Sequence, residues 1–191
     1  MEHEMAHEAL HVDNGNRRTA LLISILALVL ALAETCGKSS QTLALTANVE
    51  ASNLWQFYQA KTIRQTTLRT ASEVLALEAS SASPETKEAI ARQRDKWAAT
   101  VERYESEPSN GEGRKELVAR AKLTEERRER ALAAYHHFEL ASAALQIAVV
   151  LASARIITGM AFLTWLAMGL GATGILFCAV GAFAPLAVHL F

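Results

Sequence analysis

Two kinds of stretch alternate along the chain. From Thr19 to Ala33, and again from Leu140 to Phe191, there is a single formal charge, Arg155, whereas Lys38 to Glu139 carries nearly all the Lys, Arg, Asp and Glu. That segregation predicts a membrane protein. Counted from Thr19, the first apolar run rises roughly 22 Å as a helix, short of the ~30 Å hydrocarbon core, so Glu34 is expected near an interface. The last block is too long for one crossing. From Arg155 to Phe191 a single helix would stretch about 54 Å, and Thr158-Gly159-Met160 is the natural turn within it. Spans are therefore placed at 19–37, 140–158 and 161–184, with a His/Glu-rich arm at 1–18 and a tail at 185–191. A secretory leader is the alternative for the first run, because Arg17-Arg18, a short apolar stretch and Ala31-Leu32-Ala33 fit a cleavage pattern. Against it, Glu34 to Leu77 contains no breaker except Gly37, as one uninterrupted helix would.

The charged stretch, 38–139, reads as helix. Ala47, Ala51, Leu54, Tyr58, Leu68 and Leu75 follow a three-four pattern, with no Gly or Pro from Lys38 to Ser83. Ser83-Pro84-Glu85 then supplies an N-cap, a first-turn proline and an acid for the helix dipole. Ile90, Trp97, Val101 and Tyr104 mark the expected buried stripe of the next helix. Pro108 to Gly113 breaks the chain again, and Leu117, Ala121, Leu132, Tyr135 and Phe138 lead on into the second span. The first limb rises about 70 Å and the two later pieces together about 75 Å, so an antiparallel hairpin interrupted once on its return closes in register. A limb folded in half, giving a four-helix bundle, would close too, but nothing near Leu54–Tyr58 breaks the helix. The expected fold is all-α: three transmembrane helices and a long extramembrane antiparallel hairpin, a coiled-coil-like stalk. Such a stalk has few apolar residues per turn and calls for self-association or a partner.

Composition adds exclusions. A formal net charge of −1 argues against a nucleic-acid partner, which needs a basic face to displace counterions. With only 3 prolines and 9 glycines, a turn-rich sandwich or barrel is excluded. Cys36 and Cys178 lie in no CxxC pair and read as two lone thiols. Flanking charge orients the spans: Arg17, Arg18 and Arg155 would share one side, which the positive-inside rule makes cytoplasmic, so that 38–139 faces the periplasm or exterior.

Candidate chemistry is sparse. His3-Glu4-Met5-Ala6-His7 and His7-Glu8-Ala9-Leu10-His11 each fit the HExxH zinc-protease pattern, but a protease also needs a third ligand and a cleft, so the matches are read as fortuitous. His3, His7 and His11 on one helical face could form at most a weak transition-metal site. The densest cluster is Trp55, Phe57, Tyr58, Lys61 and Arg64, in which cations can lie over rings or meet a facing Glu. His136-His137 is expected in the interfacial belt of the second span, the two rings pointing about 100° apart. In the spans, Ala167, Gly171, Gly174, Cys178 and Gly181 line one face with small side chains suited to helix packing, and Gln146 seeks a hydrogen-bond partner on a neighbouring helix.

The block Glu50-Ala-Ser-Asn-Leu-Trp-Gln-Phe-Tyr-Gln-Ala-Lys-Thr-Ile-Arg64 carries a resemblance, together with Gly37-Lys38-Ser39, Ser106-Glu-Pro108, Gly111-Glu-Gly-Arg-Lys-Glu-Leu117 and Leu145-Gln-Ile-Ala-Val-Val-Leu-Ala-Ser-Ala154. The chain resembles the bacterial family called domain of unknown function 4337 over nearly its whole length. The resemblance implies a bacterial inner-membrane protein with three spans; that family carries no assigned activity, so no catalytic residue transfers. The expectation is a non-enzymatic scaffold or accessory subunit without cofactor or small-molecule substrate, embedded in lipid and partnered by copies of itself or other membrane subunits. A metal-handling protein using the N-terminal histidines and a small oligomeric channel around Gln146 are the alternatives.

Overall fold

The computed structural model describes residues 2–188, with side chains described from Gly15 onward. Among the described residues the chain is all-helical: α1 (Glu2–Glu78), a single 3-10 turn (Ala79–Ser81), α2 (Pro84–Glu105), α3 (Arg114–Thr158) and α4 (Ala161–Phe183). Three of these helices, α1, α3 and α4, are long and apolar enough to cross a membrane. No break occurs in α1 at Leu54–Tyr58, so the alternative with a folded first limb is not adopted.

Local chemistry sets the breaks. Ser83 Oγ accepts the Thr86 N–H at 3.3 Å and Pro84 takes the first turn of α2, so one orphan amide is capped and none is wasted on proline. The Pro108–Gly113 loop turns on Gly111, at φ 68°, and on the Glu112 N–H donating to Asn110 Oδ1 at 2.9 Å. Between α3 and α4 the chain reverses on Gly159, at φ 71°, whose N–H closes on the Arg155 carbonyl at 2.9 Å.

The residues fall into two units. One comprises the chain up to Ala44 and from Glu129 onward, the other Leu45–Arg128. In the first, α1, α3 and α4 pack around Leu26, Ala33, Ala141, Leu145 and Ala148. Buried positions on α3 recur at 131, 134, 138, 141, 145, 148 and 152, a three-four repeat that keeps one seam facing the neighbouring helix. Most are Ala, which lets backbones approach where lipid gives helices no hydrophobic reason to associate. α4 presents Ala167, Gly171, Gly174 and Gly181 to the same interior.

In the second unit α1 runs antiparallel to α2 and to the first part of α3. Arg94 Nε donates to Ser72 at 3.2 Å, Gln65 Nε2 to the Val101 carbonyl at 3.2 Å, and Trp55 Nε1 to Glu125 at 2.9 Å, partners that descend one limb as they climb the other. A small core of Leu54, Leu117 and Ala121 backs this arrangement. One expectation about burial is corrected. α2 buries no residue: Ile90, Trp97, Val101 and Tyr104 are only half covered. Leu132 is exposed, since Ala131 and Ala134 occupy the seam of α3 at that level.

Candidate functional site

Unit two concentrates its polar chemistry where α1 meets the α2–α3 loop. The three-four repeat that buries Ala47, Ala51 and Leu54 continues upward through Tyr58, Lys61 and Gln65, so polar side chains enter the helix seam in phase with the apolar ones. Lys61 is only 4% exposed. Its ammonium lies 3.8 Å from both Glu107 and Glu112 and over the rings of Phe57 and Tyr104, at 5.1 and 5.6 Å from their centroids. Two carboxylates and two ring faces replace the water this cation gives up.

Arg114, the first residue of α3, is the second hub. Nη1 donates to Gln65 Oε1 at 2.6 Å and to Glu105 Oε2 at 2.8 Å, and Nη2 donates to the Tyr58 hydroxyl at 2.9 Å. Gln65 in turn donates to Glu105 at 3.1 Å, and this bond, with the Arg114 and Lys115 charges, holds the Glu105 carboxyl below its ordinary range. Glu116 reaches back across the loop, accepting from Ser106 Oγ at 2.6 Å and from the Glu107 N–H at 3.2 Å. The Ser106 bond leads the causes that hold the Glu116 carboxyl low. Gly113 lets these groups meet, because a Cβ there would collide with the Glu116 carboxylate and the Glu107 amide.

Chemically the cluster is a lock. Its cations and carboxylates face one another, and of the cluster's buried side-chain nitrogens and oxygens Arg114 Nε alone lacks a hydrogen-bond partner among the described residues. Two shallow grooves flank it. One of about 460 Å3 runs along Leu68, Trp97 and Val101, the other of about 610 Å3 along Leu45, Val49, Phe57 and Arg120.

The sequence-derived residues distribute as follows. Trp55 sits edge-on to Tyr58 at 5.7 Å and is tethered to Glu125, so Trp55, Phe57, Tyr58 and Lys61 come together. Arg64 points away, exposed. Gln146 is exposed on α3 and donates to Glu34 at 3.2 Å. Gly171 faces Leu26, Gly174 faces Leu145 and Gly181 faces His137, so that small-residue face is occupied by the chain's own helices. The side chains of His3, His7 and His11 lie outside the described residues. His137 turns inward against the chain's own helices: it is buried, stacks on Phe177 at 6.1 Å and bonds the Pro185 carbonyl, just beyond α4, at 3.1 Å. His136 diverges from it and lies 3.7 Å from Glu139.

The sequence places Gln65 at the end of the Trp55–Arg64 block and expects a facing Glu without naming it; Glu105, Glu107, Glu112, Arg114 and Glu116 are identified by the fold. The available signal was Gly113-Arg114-Lys115-Glu116, a glycine at a helix start with an acid three residues on, the spacing from which a side chain reaches back to preceding amides.

No curated protein and no solved structure matches the chain. The sequence model of one family matches residues 15–184, taking in both units, and the chain belongs to that family, Domain of unknown function (DUF4337).

Proposed function

We propose that this protein is a non-enzymatic membrane scaffold or accessory subunit that works through helix–helix association. The observation that carries this reading is the incomplete core of the α1–α2 pair. α2 buries none of its residues, and α1 leaves Val74 and Leu77 50% and 76% exposed. An amphipathic helix pair left open on its apolar side gains stability when a further helix covers it. The locked loop supports the same reading, since it fixes the α2–α3 junction rather than offering groups to a substrate.

The bacterial inner membrane is the proposed location, with the N-terminus cytoplasmic and 38–139 periplasmic. Arg155 supports this orientation by lying beside Gly15, 3.7 Å from where a Cβ there would stand, so Arg155, Arg17 and Arg18 gather at one end of the spans. Alkaline phosphatase fused after Ser81 should be active and a fusion at Gly159 inactive; the reverse pattern rejects the orientation.

Size determination in mild detergent, combined with affinity purification from native membranes, tests the role. Oligomers or a reproducible co-purifying membrane protein are expected. A monomer without partners rejects the reading.

A further inference from the structure

Glu34 and Gln146 form an interhelical hydrogen bond of 3.2 Å on the outside of the α1–α3–α4 bundle, and both residues are exposed. Their depth follows from α4. Leu145, next to Gln146, packs against Gly174, and α4 continues from there to Phe183, about 14 Å further, while its start at Ala161 lies about 20 Å the other way. α4 has no charged residue, while on α1 Glu34 closes the apolar run with Lys38 one turn beyond, so the amide and carboxylate lie within the spans, toward one end. Beside Gln146 on that surface of α3, Ile147 and Val150 are exposed and apolar.

An ionisable side chain at such depth ordinarily faces a bundle interior or a polar partner, because lipid offers it none. Here the intramolecular bond uses one amide N–H and one carboxylate oxygen. The second N–H of Gln146, its carbonyl oxygen and the other oxygen of Glu34 remain, a donor and two acceptors on one small patch. Such a patch is self-complementary about a twofold axis: each Gln146 N–H can reach the Glu34 of the other molecule. A partner with a lone cation would satisfy only the acceptors.

We propose that the Glu34–Gln146 face is the seam of a homodimer within the membrane, the two copies exchanging carboxylate–amide hydrogen bonds. The inference rests on the self-association reading above and names the surface that carries it. Glu34 serves there as an acceptor, so an amide replaces it well and a hydrocarbon does not.

Disulfide cross-linking in native membranes tests this, in the full chain with Cys36→Ser and Cys178→Ser. Val150→Cys, one turn from Gln146 on the same surface, should form a cross-linked dimer under mild oxidation, and Trp165→Cys on the outer face of α4 should not. Adding Gln146→Leu or Glu34→Leu should weaken the dimer about tenfold, and Glu34→Gln should preserve it. Cross-linking through Trp165→Cys without Val150→Cys overturns the seam and leaves self-association standing. Monomers by subunit counting, with no cross-link at either site, overturn both. Dimers unchanged by Gln146→Leu overturn the role of the polar pair.

Discussion

Arg114 donates a 2.8 Å hydrogen bond to Glu105, joining the first turn of α3 to the last turn of α2 across the loop that separates them. The same guanidinium lies 4.9 Å from the Tyr58 ring centroid, so one side chain ties three helical segments. This arrangement explains why the return limb can be interrupted without losing its register against α1.

Arg114→Ala removes bonds to Gln65, Glu105 and Tyr58 at once. A cost of about 2 kcal/mol is expected, at the level of one charge-assisted hydrogen bond, because the pair is partly exposed. Arg114→Lys should recover little of it, since an ammonium cannot reproduce the planar fork. Thermal unfolding of the detergent-solubilised chain measures both.

Acid should loosen the α2–α3 junction. The carboxyls of Glu105 and Glu116 are held below their ordinary value of 4.5 by the Gln65 and Ser106 hydrogen bonds respectively, so the folded state binds fewer protons than the unfolded chain. Their contribution is therefore present above that value and is lost as pH falls through the lower folded values. Amide exchange across 106–113 should accelerate relative to α1 as pH drops from 6 to 3. The double variant Glu105→Gln, Glu116→Gln should remove most of that dependence.

The two loop glycines should fail differently. Gly113→Ala places a Cβ 2.6 Å from Ser106 Cα and against the Glu107 amide, and backbone cannot yield as a side-chain tip can. Loss of the ordered loop and a large fall in melting temperature are expected. Gly111 has open space around it but a φ of 68°, so Gly111→Ala should cost only about 1 kcal/mol and Gly111→Asn less. Equal effects at the two sites would contradict the geometry.

Within the spans, Gly174→Val should separate α4 from α3. A Cβ there would stand 2.7 Å from Leu145 Cγ and 3.1 Å from the Ala141 carbonyl oxygen, and a branched side chain worsens both contacts. Overpacking of about 1–3 kcal/mol is expected, read as earlier thermal aggregation in detergent. Gly169→Val, with nothing within 4 Å, should be neutral in the isolated chain.

The helices were legible in the sequence because the signals that make them are local: runs of apolar residues, Ser83-Pro84 at a start, Gly159 at a reversal. The membership of the polar cluster was only half legible. Trp55 to Lys61 stand close in sequence, but their partners Glu105 to Glu116 are set by which residues two antiparallel limbs bring level, and that register depends on the loop. Phase mattered as well. Grouping Lys61 with Arg64 follows an ordinary helical face, whereas the seam repeats every three and four residues and takes Gln65 in Arg64's place. The glycines of α4 mark a face of small residues in the sequence, and the fold shows that Leu26, Leu145 and His137 occupy it. The surfaces proposed above for association therefore lie elsewhere, on the exposed apolar positions of α1 and on the Glu34–Gln146 patch.

Association with another helix is the central claim, and photo-cross-linking in living cells tests it most directly. A photoreactive phenylalanine analogue would be placed singly at Val74, Leu77 and Val150, with exposed Arg92 as a polar control. Discrete higher-mass adducts from the apolar positions, and none from Arg92, are the expected result. Only uncross-linked chain at all four positions would contradict the account.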